Sequence, residues 1–434
     1  MKVRLEKHVS AIFSTLNLST HFEVFECEKD VMPEWTSHVL LTHEFLVCCE
    51  QPSGKDKLQR FLQKEVYRHK NTMYWFEGER IIYEELPQEN ASQELLDNST
   101  GIEYLKTETR LPQWLDNFIF THLKAEYAPD FQRFEYNLDL NKDENKKYLG
   151  TYFPRSYAES FCIFDNIFQN RQYHEALSQK ESLSILSIGC GTGGDLTGLI
   201  TVIEKYYPKK TEINIWALDG NKEALFVLEQ IVDKFSVLHS RNIKLKTIEL
   251  VFNSIAQFDT QQLNGQTFDF ILSFKMICEI ISSGKGKYDN SYYDFVMKFA
   301  PLLSNCGLCV LLDVTTMTEH NNTFNPILKN GQINQALREL KNYRTLLPLS
   351  CNKNENTCTI QCFTQQKFHV SHKRKTNDRS KVSYRVITNS NFANSLVNTD
   401  EAAQYVLQRN GKNIERLCPK SYGKQTIDGY KLKS

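Results

Sequence analysis

The run Ser182–Leu196, S-L-S-I-L-S-I-G-C-G-T-G-G-D-L, constrains the fold more than any other part of the chain. Leu183, Ile185, Leu186 and Ile188 crowd aliphatic side chains into a short stretch that reads as a buried parallel strand. Gly189, Gly191, Gly193 and Gly194 follow at once, and Leu196, Leu199, Ile200 and Ile203 then fall at helical spacing. Strand, glycine turn and helix together make a nucleotide cradle. The glycines let the backbone turn tightly and approach a ligand, and the helix start offers free N–H groups.

Two cofactors use such a turn. Gly189, Gly191 and Gly194 fit G-x-G-x-x-G, the dinucleotide fingerprint. Gly189, Gly191 and Gly193 fit G-x-G-x-G, a spacing similar to that of class I S-adenosylmethionine (SAM) methyltransferases. The strands downstream separate the two. Glu212–Asp219 alternates as a second strand and ends on an acid, and Ile243–Phe252 reads as a third. Phe268–Phe274 is a nearly continuous apolar fourth strand, and Leu308–Val314 a fifth. Thr357–Phe363 and Lys381–Ile387 both alternate, with no helix-length apolar pattern between them, so they are expected to be antiparallel neighbours. A dinucleotide enzyme would build a second parallel half instead. The predicted fold is therefore α/β: five parallel strands closed by an antiparallel pair.

At 434 residues the chain exceeds the usual single domain. Residues 1–140 are expected to form an α-rich accessory region, a lid or substrate-selecting element. It would hold helices at Val9–Leu16, Trp35–Cys49, Leu58–Tyr67 and Pro112–Tyr127 and a hairpin from Met73 to Tyr83. Asn141–Lys147, polar and charged throughout, reads as a linker or exposed turn. Residues 148–390 hold the catalytic domain, with a helix over Ala158–Phe168, and residues 391–434 a basic C-terminal helix and tail. Formal net charge is zero, so no global field draws in nucleic acid or membrane. No apolar run reaches membrane-spanning length. Lys2, Arg4, Glu6 and Lys7 occupy the place of a signal-peptide core, so the twelve cysteines are expected to be free thiols in a reducing, cytoplasmic setting.

From Tyr148 to Ile387 the chain resembles class I SAM-dependent methyltransferases. Ile188-Gly189-Cys190-Gly191-Thr192-Gly193 matches their first motif and Leu218-Asp219 their second. The resemblance implies SAM as cofactor, held at Gly189, Cys190, Gly191 and Gly193, with Asp219 accepting the ribose hydroxyls. Asp219 has a competing reading as N-cap of the next helix. In this plan Asn253 and Ser254 face the adenine, Phe274 closes the fourth strand beside the cofactor, and Arg155 and Tyr157 meet the SAM carboxylate. Many members carry Asp or Glu where Ser187 stands. A second likeness is more particular. Pro154-Arg155-Ser156-Tyr157-Ala158, Cys362-Phe363-Thr364-Gln365 and Lys381-Val382-Ser383-Tyr384 look like the ribosomal small-subunit methyltransferase-like proteins, some of which hold an iron–sulfur cluster. Here Cys351, Cys358 and Cys362 are the nearby thiols. On one extended strand Cys358 and Cys362 would lie roughly 13 Å apart, too far to share a metal, and no metal is expected.

Methyl transfer from a sulfonium is an in-line displacement for which the protein mainly positions and desolvates the reactants. The Asn-Pro-Pro-Tyr signature of many amine methyltransferases is missing; Ser273-Phe274-Lys275-Met276 stands in its place. Glu279 is the catalytic-base candidate by position, or else a first-turn acid favoured by the helix dipole. Tyr292 and Tyr293 are candidate substrate contacts. The basic run Lys367–Lys381, with Lys373, Arg374 and Lys375 at its centre and Asp378 alone opposing them, is a candidate phosphate-tracking loop. The functional expectation is a SAM-dependent methyltransferase leaning toward RNA or ribonucleoprotein. The alternatives are a lidded small-molecule or protein methyltransferase and a non-catalytic ribosome assembly factor.

Overall fold

The structure is a computed structural model. It describes residues 2–26, 37–40, 45–64, 67–69, 72–77, 80–85, 106–129, 138, 140–207, 211–251, 253–256, 258–263, 265–282, 290–316, 324–348, 363–364, 366–396, 406–409, 413–416 and 425–426. The chain divides into two units, Met1–Thr100 and Gly101–Ser434.

The first unit holds helices α1 (Lys2–Thr15) and α2 (Pro52–Lys64) and a six-stranded sheet. Its strands are β1 (Phe22–Glu26), β2 (Ser37–Leu40), β3 (Phe45–Cys49), β4 (Tyr67–His69), β5 (Thr72–Glu77) and β6 (Arg80–Glu85), in the order β1-β3-β2-β6-β5-β4. The region expected to be α-rich is thus α+β. The helix expected over Trp35–Cys49 is β2 and β3 in its described part. β3 is an unbroken apolar run flanked on both sides by other strands, a pattern that local periodicity does not separate from a buried helix. The β5–β6 hairpin forms as expected, with Glu77 opposite Arg80. α2 starts six residues before the expected Leu58, because Pro52 opens the helix rather than breaking it.

The second unit is built on a nine-stranded sheet. β8 (Ser182–Ile188) lies at its middle, with β9 (Glu212–Asp219) and then β10 (Ile243–Glu249) on one side, all parallel. On the other side come β11 (Phe268–Phe274) and β12 (Leu303–Val314), also parallel. In chain order the parallel strands therefore run third, second, first, fourth, fifth. β16 (Lys375–Asn389) adds antiparallel to β12. It is long enough to take two partners end to end: β13 (Tyr343–Leu347) on its C-terminal half and β15 (Gln366–His372) on its N-terminal half. β7 (Glu108–Arg110) closes the edge beside β15. The antiparallel closure agrees with the sequence pattern, but its partner strands differ. Residues 349–362, most of the expected strand Thr357–Phe363, lie outside the described residues. The expected basic loop is instead a hairpin whose two-residue turn is Lys373-Arg374.

Helices cover both faces. On one lie α4 (Lys142–Phe168), α5 (Arg171–Ser178), α6 (Gly194–Tyr206) and α7 (Lys222–His239), with α3 (Gln113–Asn117) and a π-helical turn at Phe118–His122 outside α4. On the other lie α8 (Met276–Ser282), α9 (Ser291–Phe299) and α10 (Asn325–Glu339). α4 begins far upstream of the expected Ala158. Asn141 accepts from the Asp143 and Glu144 amides at 3.0 Å, and the Glu144 carboxylate accepts from the Asn141 amide at 3.0 Å, a closed capping box. The supposed linker Asn141–Lys147 is therefore a cap and the first turns of a helix, its charges lying on the exposed side. Pro154 sits inside α4, where sequence alone argues for a break.

α4 and α6 meet backbone to backbone. A Cβ on Gly198 would stand 2.6 Å from the Tyr157 carbonyl, and one on Gly194 2.7 Å from the Phe153 carbonyl. The third glycine of G-x-G-x-x-G thus serves helix packing here. The C-terminal segment consists of α11 (Ser390–Leu396), a β17–β18 pair (Val406–Arg409 with Asn413–Arg416) and β19 (Gln425–Thr426), which pairs with β14 (Phe363–Thr364). Strand segments thus accompany the expected helix. Among the described residues, no helix is long and apolar enough to cross a membrane.

Candidate active site

The glycine turn at the C-terminal end of β8 is held in left-handed backbone. φ is +68° at Gly189, +50° at Gly191 and +79° at Gly193, which caps α6. Gly189 has a second reason to lack a side chain: its Cβ would lie 2.2 Å from Met276 Cγ. The Gly189 and Cys190 amides both donate to the Leu218 carbonyl, at 2.7 and 3.2 Å, which ties the turn to the end of β9. Cys190 is buried in the core, and burial pushes its thiol well above the usual range.

Asp219 ends β9 and faces the turn. Its Oδ2 accepts from the Gly191 amide at 2.7 Å and its Oδ1 from the Asn221 amide at 2.8 Å. The N-cap of α7 is Asn221, which accepts from the Ala224 amide at 3.1 Å, so the capping alternative for Asp219 is set aside. A carboxylate offers about four acceptor positions, so the backbone amides leave it capacity for a ligand. Burial raises the Asp219 pKa, and the amides of Asn221, Gly191 and Gly220 counter it.

A cavity of about 580 Å³ opens between these elements. Of the sequence-selected residues, Gly189, Gly191, Asp219, Phe274 and Glu279 line it. Gly193, packed against Leu228, and Cys190, buried in the core, do not line it. Tyr148 and Lys275 also line it and were not selected from sequence. Tyr148 lies in α4, upstream of the helix expected over Ala158–Phe168. Lys275 lies at φ +65°, and its Nζ is 2.7 Å from the buried Glu159 carboxylate.

The remaining candidates stand elsewhere. Arg155, expected at the SAM carboxylate, makes a two-point bond to Asp378, from Nε at 2.9 Å and from Nη2 at 2.8 Å. Burial alone would raise the Asp378 pKa, but the nearby His372 ring, 3.7 Å away, and the hydrogen-bonded Arg155 guanidinium outweigh it and lower the pKa. The lone acid of the basic run is thus the buried partner of Arg155. Tyr157 is buried in the α4 interface, its ring stacked on Phe161 at 5.8 Å. Asn253 is exposed, Ser254 is partly so, and neither lines the cavity. Tyr292 is buried and donates to Asp313 at 2.8 Å, and Tyr293 turns outward to Glu339 at 2.5 Å. Ser187, at the place of the missing acid, donates to the Asp195 carboxylate at 2.7 Å, so an acid returns to that locality from the first turn of α6. The Lys373 amide donates to Asp116 at 2.9 Å and its ammonium to Thr121 at 2.9 Å, while Arg374 and Lys375 are exposed. Cys351, Cys358 and Cys362 lie outside the described residues.

No protein-family model matches the sequence, and no curated protein is similar to it. Among solved structures it is similar to the plantazolicin methyltransferase BpumL in complex with SAH, at 15% identity and TM-score 0.30, covering 63% of this chain and 93% of that one. It is similar to TehB from Haemophilus influenzae at 12% identity and TM-score 0.27, covering 50% of this chain and 61% of TehB. For TrmN from Thermus thermophilus the values are 12% and 0.29, covering 56% and 53%. The strand order and glycine turn decide the fold. It is that of a class I methyltransferase.

Two expected outcomes follow from the buried charges. Arg155→Met strands the Asp378 carboxylate, and urea denaturation should show a loss of roughly 3 kcal/mol with SAH affinity within about twofold of wild type. A large loss of SAH affinity at unchanged stability would restore Arg155 to the cofactor. Burial raises Asp195 from 3.8 to about 6, against hydrogen bonds from Ser187 and the Leu196 amide. The neutral acid suits the fold, so its contribution is full below pH 4 and drains away as pH climbs through 6. Asp195→Asn should match wild-type stability near pH 4 and exceed it by about 3 kcal/mol above pH 6; a pH-independent gap would refute this.

Proposed function

We propose that the protein is a SAM-dependent methyltransferase. The observation that carries this reading is the Asp219 carboxylate, fixed by two backbone amides beside a left-handed glycine turn and still presenting acceptor positions to a cavity. The residues present suit SAM. Asp219 would accept the ribose hydroxyls. Gly189 and Gly191 leave room for the chain that links ribose to the amino-acid tail. When bound, SAM supplies an activated methyl group. The protein's share of the chemistry is to hold donor and acceptor in line and exclude water. Titration calorimetry should show SAM and SAH binding, weakened about 10- to 100-fold in Asp219→Ala, which removes hydrogen bonds to a charged group. Tight NADH binding without SAM binding would overturn the assignment.

A polyanionic acceptor such as RNA is the second reading, and one observation favours it. On the exposed face of the β15–β16 hairpin, Lys367 stands opposite Lys381. Like charges placed directly across a sheet cost stability unless an anion meets them. The hairpin runs past the C-terminal end of β12, the same edge on which the cavity opens. This face replaces the Lys373–Lys375 turn as the phosphate-contacting surface. In titrations of labelled RNA at several salt concentrations, Lys367→Ala/Lys381→Ala should bind more weakly and flatten the log–log salt slope by about 1.4. Undetectable or salt-independent binding by the wild type would end the RNA reading.

A further inference from the structure

α10 buries polar side chains beside its apolar ones. Asn325, Lys329, Asn330 and Asn334 are each at most 2% exposed. The sheet beneath answers with polar side chains of its own: Asp313 on β12, Thr345 on β13, and Ser383 and Arg385 on β16, all equally buried. Three of these groups are ionisable. The Lys329 ammonium donates to the Ser383 carbonyl, and Ser383 is the direct cross-strand neighbour of Asp313. Burial raises the Asp313 pKa and the charge of Lys329 works against it, so these two lie within reach of each other's field. Arg385 stands apart from them. β12 and β13 pair with opposite edges of β16, and the guanidinium reaches toward β13, away from the strand that carries Asp313. Its Nη1 donates to Thr345 Oγ1 at 2.9 Å and its Nε to Asn330 Oδ1 at 3.3 Å, both uncharged acceptors. Its Nη2 has no hydrogen-bond partner, and among the described residues no carboxylate lies within ion-pair distance of it. Asn334, one turn beyond Asn330 on α10, has a side-chain oxygen that is also without a partner. A guanidinium does not shed its proton in a folded protein, so the charge of Arg385 is permanent.

We propose that Arg385 holds a buried monovalent anion of halide size, seated on Nη2 and on the Asn334 carboxamide. A charge withdrawn from water is costly to a fold unless an opposite charge accompanies it. A water molecule would satisfy the N–H groups of Nη2 and leave that charge in place; an anion does both. The donors on offer are few: the Nη2 N–H groups and, with its side-chain amide turned inward, the Asn334 NH₂. They suit a small spherical ion. A phosphate or sulfate would bring several oxygens to a place where every surrounding polar side chain is at most 2% exposed, and most of those oxygens would go unbonded. None of these side chains lines the cavity at the glycine turn, so the site is separate from it and independent of the methyltransferase reading. The ion joins α10, β13 and β16 at one point, and β16 is the strand whose other half forms the basic hairpin.

The test is urea unfolding of the full-length protein at fixed ionic strength, with sodium gluconate replaced stepwise by sodium chloride or sodium bromide. A ligand that binds only the folded state multiplies the folded-to-unfolded ratio by about tenfold for each tenfold rise in free anion above the dissociation constant. The wild type should gain stability in this way from both halides. Arg385→Met, which keeps much of the side chain's length and removes its charge, should show no gain. Should Arg385→Met fail to fold, chlorine NMR of the wild type decides: bound chloride broadens the line, and added bromide narrows it again by displacement. Equal wild-type stability in gluconate and halide, or a chloride line that bromide does not narrow, overturns the proposal. So does a halide gain of the same size in Arg385→Met, which would assign the effect to the protein surface.

Discussion

The contact between α4 and α6 organises this domain. Two glycines one turn apart let the helices touch backbone to backbone, and the Ser160 hydroxyl donates to the Asp195 carbonyl at 2.6 Å within that seam. Everything α4 presents is placed by this contact. Tyr148 is brought to the cavity, Arg155 to the hairpin and Glu159 to Lys275. A helix held one ångström further out would loosen both ion pairs and move Tyr148 at once, because the two bonds are short and lie between largely buried charges. Such pairs are costly to break and contribute little to net stability when made. Their role is to fix geometry.

The buried polar groups show how an acid is supplied from an unexpected place. The strand before the turn carries serine at 187, one residue short of its end, yet the locality still holds carboxylates: Asp195 in the first turn of α6 and Glu159 from α4. Neither follows the strand-end pattern. Burial raises the Asp195 pKa to about 6 against the Ser187 hydrogen bond, whereas the Glu159 carboxylate has the Lys275 ammonium 2.7 Å away.

Much of the fold was legible because its parallel strands are short, apolar and each followed by a turn or helix signal. β11 is buried throughout and β12 from Gly307 to Asp313, as central strands are, while β9 alternates buried and half-buried positions. The glycine turn and Asp219 were legible for a related reason: left-handed backbone and an acid at a strand end are chemical requirements written in residue type. What was missed depends on tertiary contact. The start of α4 looked like a linker because its charges face outward and Pro154 interrupts the helical signal. Arg155 was placed at a ligand because nothing local discloses a partner 223 residues away. The first unit was misread where an apolar run suits helix and strand alike.

The bond from the Gly191 amide to Asp219 has a bearing on how a ligand enters. The turn is already drawn closed by a side chain of the protein, and Asn221 is fastened both to its own helix and to Asn145 of α4 at 3.1 Å. Little chain freedom is left for an incoming molecule to remove. Association with such a loop is governed by expelling water and by a fit already present, rather than by folding the loop around the guest. Selectivity then belongs to the rigid outline of the empty site, and a guest that needs the loop to move is turned away by the cost of breaking a bond the protein makes with itself.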